Sequence, residues 1–227
     1  EFVTSLYDGE IRHVDDGVAE LLQAVDKIGL TDDTLVILLG DHGEVMQRGG
    51  IYYDHHGLYE ENIHVPLIMR LPGRINPETT VKGFVQQMDI APTILDWINW
   101  TKPTQMDGKS FRHSAETGED ANFATRIFAC ENTWQSKWAV RTKTHKLIVS
   151  RRMDHYGNPE KELYDLANDP LETINCIGND PATAMALESE LNSFIKEGLK
   201  KSGRTLDPVI EQEYTLGKRW DVWQARV

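Results

Sequence analysis

Ile11, Val14, Val18, Leu21, Leu22, Val25 and Ile28 recur at spacings of three and four, and a β-branched, Leu-rich run, Thr34–Leu39, follows almost at once. The first pattern predicts an amphipathic helix over about residues 8–28, closed by Gly29. The second predicts a strand buried on both faces. Gly40-Asp41-His42-Gly43 then breaks the strand. Helix, buried strand and Gly-flanked polar loop, in that order, predict an α/β fold with a parallel sheet.

Beyond that loop, residues 43–64 hold no clear periodicity and are rich in Gly, Tyr and His, which predicts a long functional loop. Val65–Met69 reads as a second buried strand and Thr80–Val85 as a third. Met88–Trp100 reads as a helix, with Pro92 tolerated in its first turn. Residues 102–122 are polar and Gly-containing, a boundary between domains 1–122 and 123–227. After it come short strands at Arg126–Ala129, Lys137–Arg141 and Lys146–Ser150, as in an antiparallel meander. A helix opens at Asp180-Pro181 and carries Met185, Leu187, Leu191, Phe194, Ile195 and Leu199. In the tail, Trp220 and Trp223 are expected to pack back on the body.

Composition narrows what such a chain can do. Its 227 residues carry 24 basic and 36 acidic side chains, a net charge of −12, which argues against nucleic acid as a partner. A small anion in a locally positive pocket stays open. No apolar run approaches the roughly 18–20 residues of a membrane span. Cys130 and Cys176 are too few for a disulfide scaffold; one bridge or two reduced thiols fit equally. There is no Gly-x-Ser-x-Gly, no P-loop and no Cys-x-x-Cys.

Chemistry-bearing residues gather after the first strand. Asp41 and His42 stand at its C-terminal end, where α/β folds place ligands. A carboxylate and an imidazole are both divalent-metal ligands, and the flanking glycines leave room for them to converge. Taken alone, Asp-His-Gly reads equally as a turn Asp beside a satisfied His. Thirteen residues on from His42, Asp54-His55-His56-Gly57 brings two adjacent imidazoles suited to anion contact, proton donation or metal ligation. Glu44 is either a second partner of His42 or solvated. His13, His64, His113, His145 and His155 have no such constellation around them.

Five segments, in order, resemble the C-terminal half of a sulfatase of the alkaline-phosphatase superfamily. They are Tyr7-Asp8-Gly9-Glu10-Ile11-Arg12-His13-Val14-Asp15; Leu35–Leu39 with Gly40-Asp41-His42-Gly43-Glu44; and His56-Gly57-Leu58-Tyr59-Glu60-Glu61-Asn62-Ile63-His64-Val65-Pro66-Leu67-Ile68. The fourth is Met88-Asp89-Ile90-Ala91-Pro92-Thr93-Ile94-Leu95 with Asp107-Gly108-Lys109-Ser110. The last is Lys146-Leu147-Ile148, then Glu162-Leu163-Tyr164-Asp165-Leu166, Asp169-Pro170, Glu172 and Asn175.

The resemblance implies an alkaline-phosphatase-like mixed sheet flanked by helices, plus a small C-terminal antiparallel subdomain with a helix. It implies hydrolysis of sulfate esters by a formylglycine nucleophile assisted by one divalent ion, calcium in the first instance, with Mg2+ or Mn2+ as alternatives. Asp41 and His42 match the later pair of metal ligands. Many family members place a sulfate-contacting Lys four residues before the tyrosine that Tyr59 matches; His55 stands there, next to His56, and either is expected to contact the substrate anion and act in catalysis. The Cys/Ser-x-Pro-x-Arg motif that yields formylglycine is absent, so the resemblance implies a fragment whose nucleophile lies on a missing N-terminal segment and which is inactive alone. The expected partner is a sulfated small molecule or glycan; a homo-oligomer is compatible with the chain, and family members are often exported. Two other readings stay open: a phosphonate or phosphodiester hydrolase of the same superfamily, and a non-catalytic homologue that binds sulfated glycans.

Overall fold

A computed structural model of the protein describes residues 2–211. Trp220 and Trp223 lie outside the described residues. The chain divides into two compact units. One holds the chain up to Gly40 together with Pro66–Phe123; the other holds Asp41–Val65 and the chain from Ala124 onward. Residues 41–65, which the sequence pattern groups with the first domain, thus cluster with the C-terminal one.

In the first unit, helix α1 spans Phe2–Lys27. It starts earlier than its apolar periodicity suggests, and Gly29 closes it with φ +72°. Val18, Leu22 and Val25 are its half-buried stripe, whereas Ile11, Val14 and Leu21 are exposed. Strand β1 (Val36–Leu39) pairs antiparallel with β4 (Leu67–Arg70), Leu39 facing Leu67. This corrects two expectations, a parallel neighbour for β1 and burial of both strands on both faces. The chain returns through Pro66 and runs back along β1, so the ladder is antiparallel. Its inner residues Leu35, Leu67, Met69 and Leu71 pack on Trp97, Phe111 and Ala115, while Ile68 points outward.

Thr80–Val85 is not a strand. Gly83, at φ +99°, interrupts the extended run and leaves a single parallel bridge to Ala121. A 3-10 turn at Gln87–Asp89 leads into α3 (Ile90–Trp97). Buried Asp89 accepts from the Gln86 amide at 2.8 Å and from the Lys109 amide at 2.7 Å, tying the Met88–Leu95 and Asp107–Ser110 segments together. The polar stretch before the boundary carries a short helix, α4 (Arg112–Thr117).

The second unit is built on a four-stranded antiparallel meander, β5 (Ile127–Glu131), β6 (Lys137–Arg141), β7 (His145–Ser150) and β8 (Lys161–Asp165), in sequence order. Strand alternation gives the sheet two faces. On one, Val140, Leu147, Val149 and Leu163 meet Ala184, Leu187, Leu191 and Ile195 of helix α5 (Pro181–Ser202). Asp180 caps that helix, its Oδ1 accepting from the Thr183 amide at 3.1 Å. On the other face, Ala139, Ile148 and Tyr164 meet Val45, Ile51, Leu58 and Tyr59. A short helix, α6 (Pro208–Glu211), ends the described chain. Cys130 and Cys176 are both free.

Residues 43–64 are therefore not an irregular loop. They form a hairpin, β2 (Val45–Arg48) and β3 (Ile51–Asp54), and a helical turn, α2 (Glu60–Ile63). Gly49 and Gly50, at φ +55° and +80°, are the two central residues of the hairpin turn, a conformation that suits glycine.

Candidate metal and anion site

The hairpin register decides what meets at its open end. Val45 pairs with Asp54, so Glu44 and His55 leave the ribbon side by side. His42 joins them: ligand atoms of His42, Glu44 and His55 all lie within 4.8 Å of one another. The His42 and His55 rings stack with centroids 4.6 Å apart and planes inclined by 23°.

Local backbone contacts hold His42 in place. Gly43 donates to the Asn62 carbonyl at 2.8 Å, and a Cβ on Gly43 would fall 1.9 Å from the Glu61 carbonyl oxygen. Only glycine fits there, which ties the Asp41-His42 turn to α2. His42 Nδ1 lies 2.9 Å from the Gly43 carbonyl. A carbonyl only accepts, so Nδ1 carries a proton in this contact, and the neutral ring presents its lone pair at Nε2. Nε2 lies 3.6 Å from Asp41 Oδ2.

The two adjacent histidines occupy different environments. His55 is exposed, its side chain 62% accessible. His56 is buried, with Nε2 2.9 Å from the Tyr156 hydroxyl and its ring stacked on that of Tyr156 at 5.6 Å. Trp134 lies on its other flank at 5.9 Å. His56 Nδ1 is 3.4 Å from Asp54 Oδ1, at ion-pair distance but without a hydrogen bond. Asp54 Oδ1 also accepts from the His55 amide at 2.8 Å. Burial alone would raise the Asp54 carboxyl, but that amide and the two imidazoles outweigh it and hold it below the ordinary carboxylate value.

Buried charges anchor this segment to the sheet. Lys146 Nζ lies 3.0 Å from Glu60 Oε1 and 2.5 Å from Glu172 Oε1, and Arg141 pairs with Glu60 at 3.0 Å. The Glu60 amide donates to Glu172 Oε2 at 2.7 Å. Lys137 lies between Asp154, at 2.5 Å, and Glu162, at 3.2 Å. Tyr59 and Tyr164 donate to Glu162 Oε2 at 2.9 and 2.7 Å. Burial would raise Glu60, yet the Arg141 hydrogen bond and the Lys146 charge bring it below its ordinary value. Burial lifts Glu172 despite its contact with Lys146. Burial, then the Glu162 charge, pushes both tyrosine hydroxyls far above their ordinary value.

All four expected site residues fall in the second unit. The structure brings His42 and His55 together, adds Glu44, and buries His56 against Tyr156 and Trp134. Tyr156 is what sequence reading could not supply, because it comes from 100 residues along the chain. The hairpin could have been read, since Gly-Gly between two β-prone runs is a two-residue turn signal.

As a divalent-metal site, Asp41 and Glu44 offer hard oxygen donors and His42 an Nε2 lone pair. These donors fit a divalent cation: the carboxylates suit Ca2+, Mg2+ or Mn2+, and a neutral imidazole nitrogen can complete such a set. Among the described residues, no helix is long and apolar enough to cross a membrane.

The family model for the C-terminal region of N-sulphoglucosamine sulphohydrolase matches residues 49–200. An N-acetylglucosamine-6-O-sulfatase of Bacteroides thetaiotaomicron is 29% identical over 222 residues, covering 93% of this chain and 38% of that protein. The chain thus spans well under half the length of this curated relative. A solved structure described as a complex with its substrate D-glucosamine-2-N,6-O-disulfate superposes with a TM-score of 0.71 at 26% identity, covering 82% of this chain and 39% of the other. The phosphonate monoester hydrolase of Agrobacterium radiobacter superposes with a TM-score of 0.65 at 27% identity, covering 82% and 40%.

Proposed function

Since the chain belongs to the N-sulphoglucosamine sulphohydrolase C-terminal family, we propose that it is the C-terminal part of a metal-dependent sulfate ester hydrolase that acts on a sulfated sugar. Asp41 and His42 ligate one divalent ion, His55 meets the substrate anion, and His56 holds the loop behind it. The observation that carries this reading is the convergence of His42, Glu44 and His55 at the open end of the hairpin. The sugar is suggested by the glucosamine sulfates named for the relative and for the solved complex.

A bound cation would draw charge from the sulfuryl oxygens. The chain's own residues orient and neutralise. The Gly43 carbonyl holds the Nδ1 side of neutral His42, which would leave the Nε2 lone pair free to ligate the ion. His55, exposed beside it, supplies a ring N–H donor for a sulfate oxygen or for the departing ester oxygen. Asp54, held below the ordinary carboxylate value, stays ionised beside the two imidazoles. The nucleophile, a formylglycine, is supplied by the longer protein outside this chain.

The test uses the full-length protein. Chelation is expected to abolish aryl sulfate hydrolysis, and titration with Ca2+, Mg2+ or Mn2+ to restore it and identify the ion. His42→Ala is expected to weaken metal affinity by about a hundredfold or more. His55→Ala is expected to lower kcat without moving metal affinity. Activity that survives chelation sinks the metal assignment. The likeness to a phosphonate monoester hydrolase favours a second reading. Faster turnover of an aryl phosphonate monoester than of the matching sulfate would replace the first with the second.

A further inference from the structure

The β2–β3 hairpin bears a feature that metal and anion binding leave unexplained. Ile51, Tyr52 and Tyr53 lead directly to Asp54 and His55. In a regular strand Ile51 and Tyr53 would share a face. Ile51 is 1% exposed, yet Tyr53 is 45% exposed, and Tyr52 is 61% exposed. The cause is the backbone: Tyr53 has φ +49°, in the left-handed region that a bulky side chain rarely occupies. The local strain turns a second ring outward, two residues before His55.

We infer that Tyr52 and Tyr53 form a saccharide-stacking subsite that receives the sugar ring bearing the sulfate group. The inference rests on the sulfate ester reading above. A phenol offers an apolar face to the C–H face of a pyranose and a hydroxyl to its polar edge. The subsite adjoins the anion site along the chain, because β3 carries Tyr52, Tyr53 and Asp54 and His55 follows directly. Charge favours it too. A chain with a net charge of −12 gains little from long-range attraction to a sulfated ligand, so an uncharged contact must supply affinity. The same balance favours a single sulfated sugar or chain end over a polyanionic stretch.

The experiment compares two substrates on the full-length protein: a monosaccharide sulfate and 4-nitrophenyl sulfate. Tyr52→Ala and Tyr53→Ala are expected to raise KM for the sugar sulfate by about tenfold each and to leave aryl sulfate kinetics within about twofold. Tyr52→Phe is expected to retain most of the sugar affinity. Equal losses on both substrates would make the tyrosines structural and overturn the subsite, as would no loss on either. If the wild-type protein cleaves no sulfate ester, the functional reading fails separately. Equilibrium binding of the same sugar sulfate then decides the subsite, and an affinity unchanged by Tyr52→Ala overturns it.

Discussion

The two faces of the four-stranded sheet solve the same problem with different chemistry. Under α5 the contact is apolar: Val140, Leu147, Val149 and Leu163 against Leu187, Leu191 and Ile195. Under residues 41–65 the contact is half ionic. Lys137, Lys146 and Glu162, with Glu172, are buried there and bound to Glu60, Asp154, Tyr59 and Tyr164. Apolar packing is non-directional and tolerates repacking. Paired charges are directional, because each buried group needs its partner at hydrogen-bond distance. The helix that only has to stay attached uses the first. The segment that carries His42, His55 and His56 uses the second, and gains a defined position.

The largest test of this contrast is Lys146→Met. It leaves Glu60 with Arg141 and the more distant His64, takes the ammonium partner from buried Glu172, which keeps the Glu60 amide, and should lower stability by about 3–5 kcal/mol. Urea unfolding reads this, and Lys146→Met with Glu172→Met should recover part of the loss. A loss below about 1 kcal/mol would mean that water reaches these charges. On the apolar face, fully buried Leu191→Ala should cost about 3 kcal/mol. Its effect on the His42–His55 geometry should be slight; a matching loss of metal affinity would show that the two faces are coupled.

Smaller still, Tyr156→Phe removes the hydroxyl partner of His56 Nε2 and should cost about 1 kcal/mol. The readout specific to that contact is the ring chemical shifts of His56 by NMR, which should change while those of His145 do not. Last comes pH. Glu60 titrates below its ordinary value of 4.5 when folded, so its ion pairs contribute fully above that value. Their contribution falls away as pH drops through the lowered folded value. Glu60→Gln should flatten the acid limb of the stability profile, and an unchanged limb would remove Glu60 from the account.

Much of this could be read along the chain. The meander was visible because its strands are short, β-rich and separated by turns, and Lys137–Arg141 matches β6 to the residue. The α5 start was visible in Asp180-Pro181, a capping residue followed by the residue that best tolerates a first turn. The β1–β4 pairing was not. Apolar runs such as Leu35–Leu39 and Val65–Met69 report burial against something, not direction or partner. His55 and His56 could not be told apart either. Both follow the same strand, and only the distant Tyr156 and Trp134 make one of them interior.

The sequence by itself determined the local choices: which stretches are helical, where glycine is needed, and which acidic and imidazole groups lie within reach of one loop. These depend on neighbours a few residues apart. The tertiary structure alone decided that residues 41–65 belong to the C-terminal unit, that Lys146 and Glu172 hold them there, and that His55 faces outward while His56 does not. Such outcomes depend on which buried charge finds which distant partner, as Lys146 finds Glu60 from 86 residues along the chain. No local pattern records that pairing, because its energy exists only once the sheet has formed and water has been excluded from between the two layers.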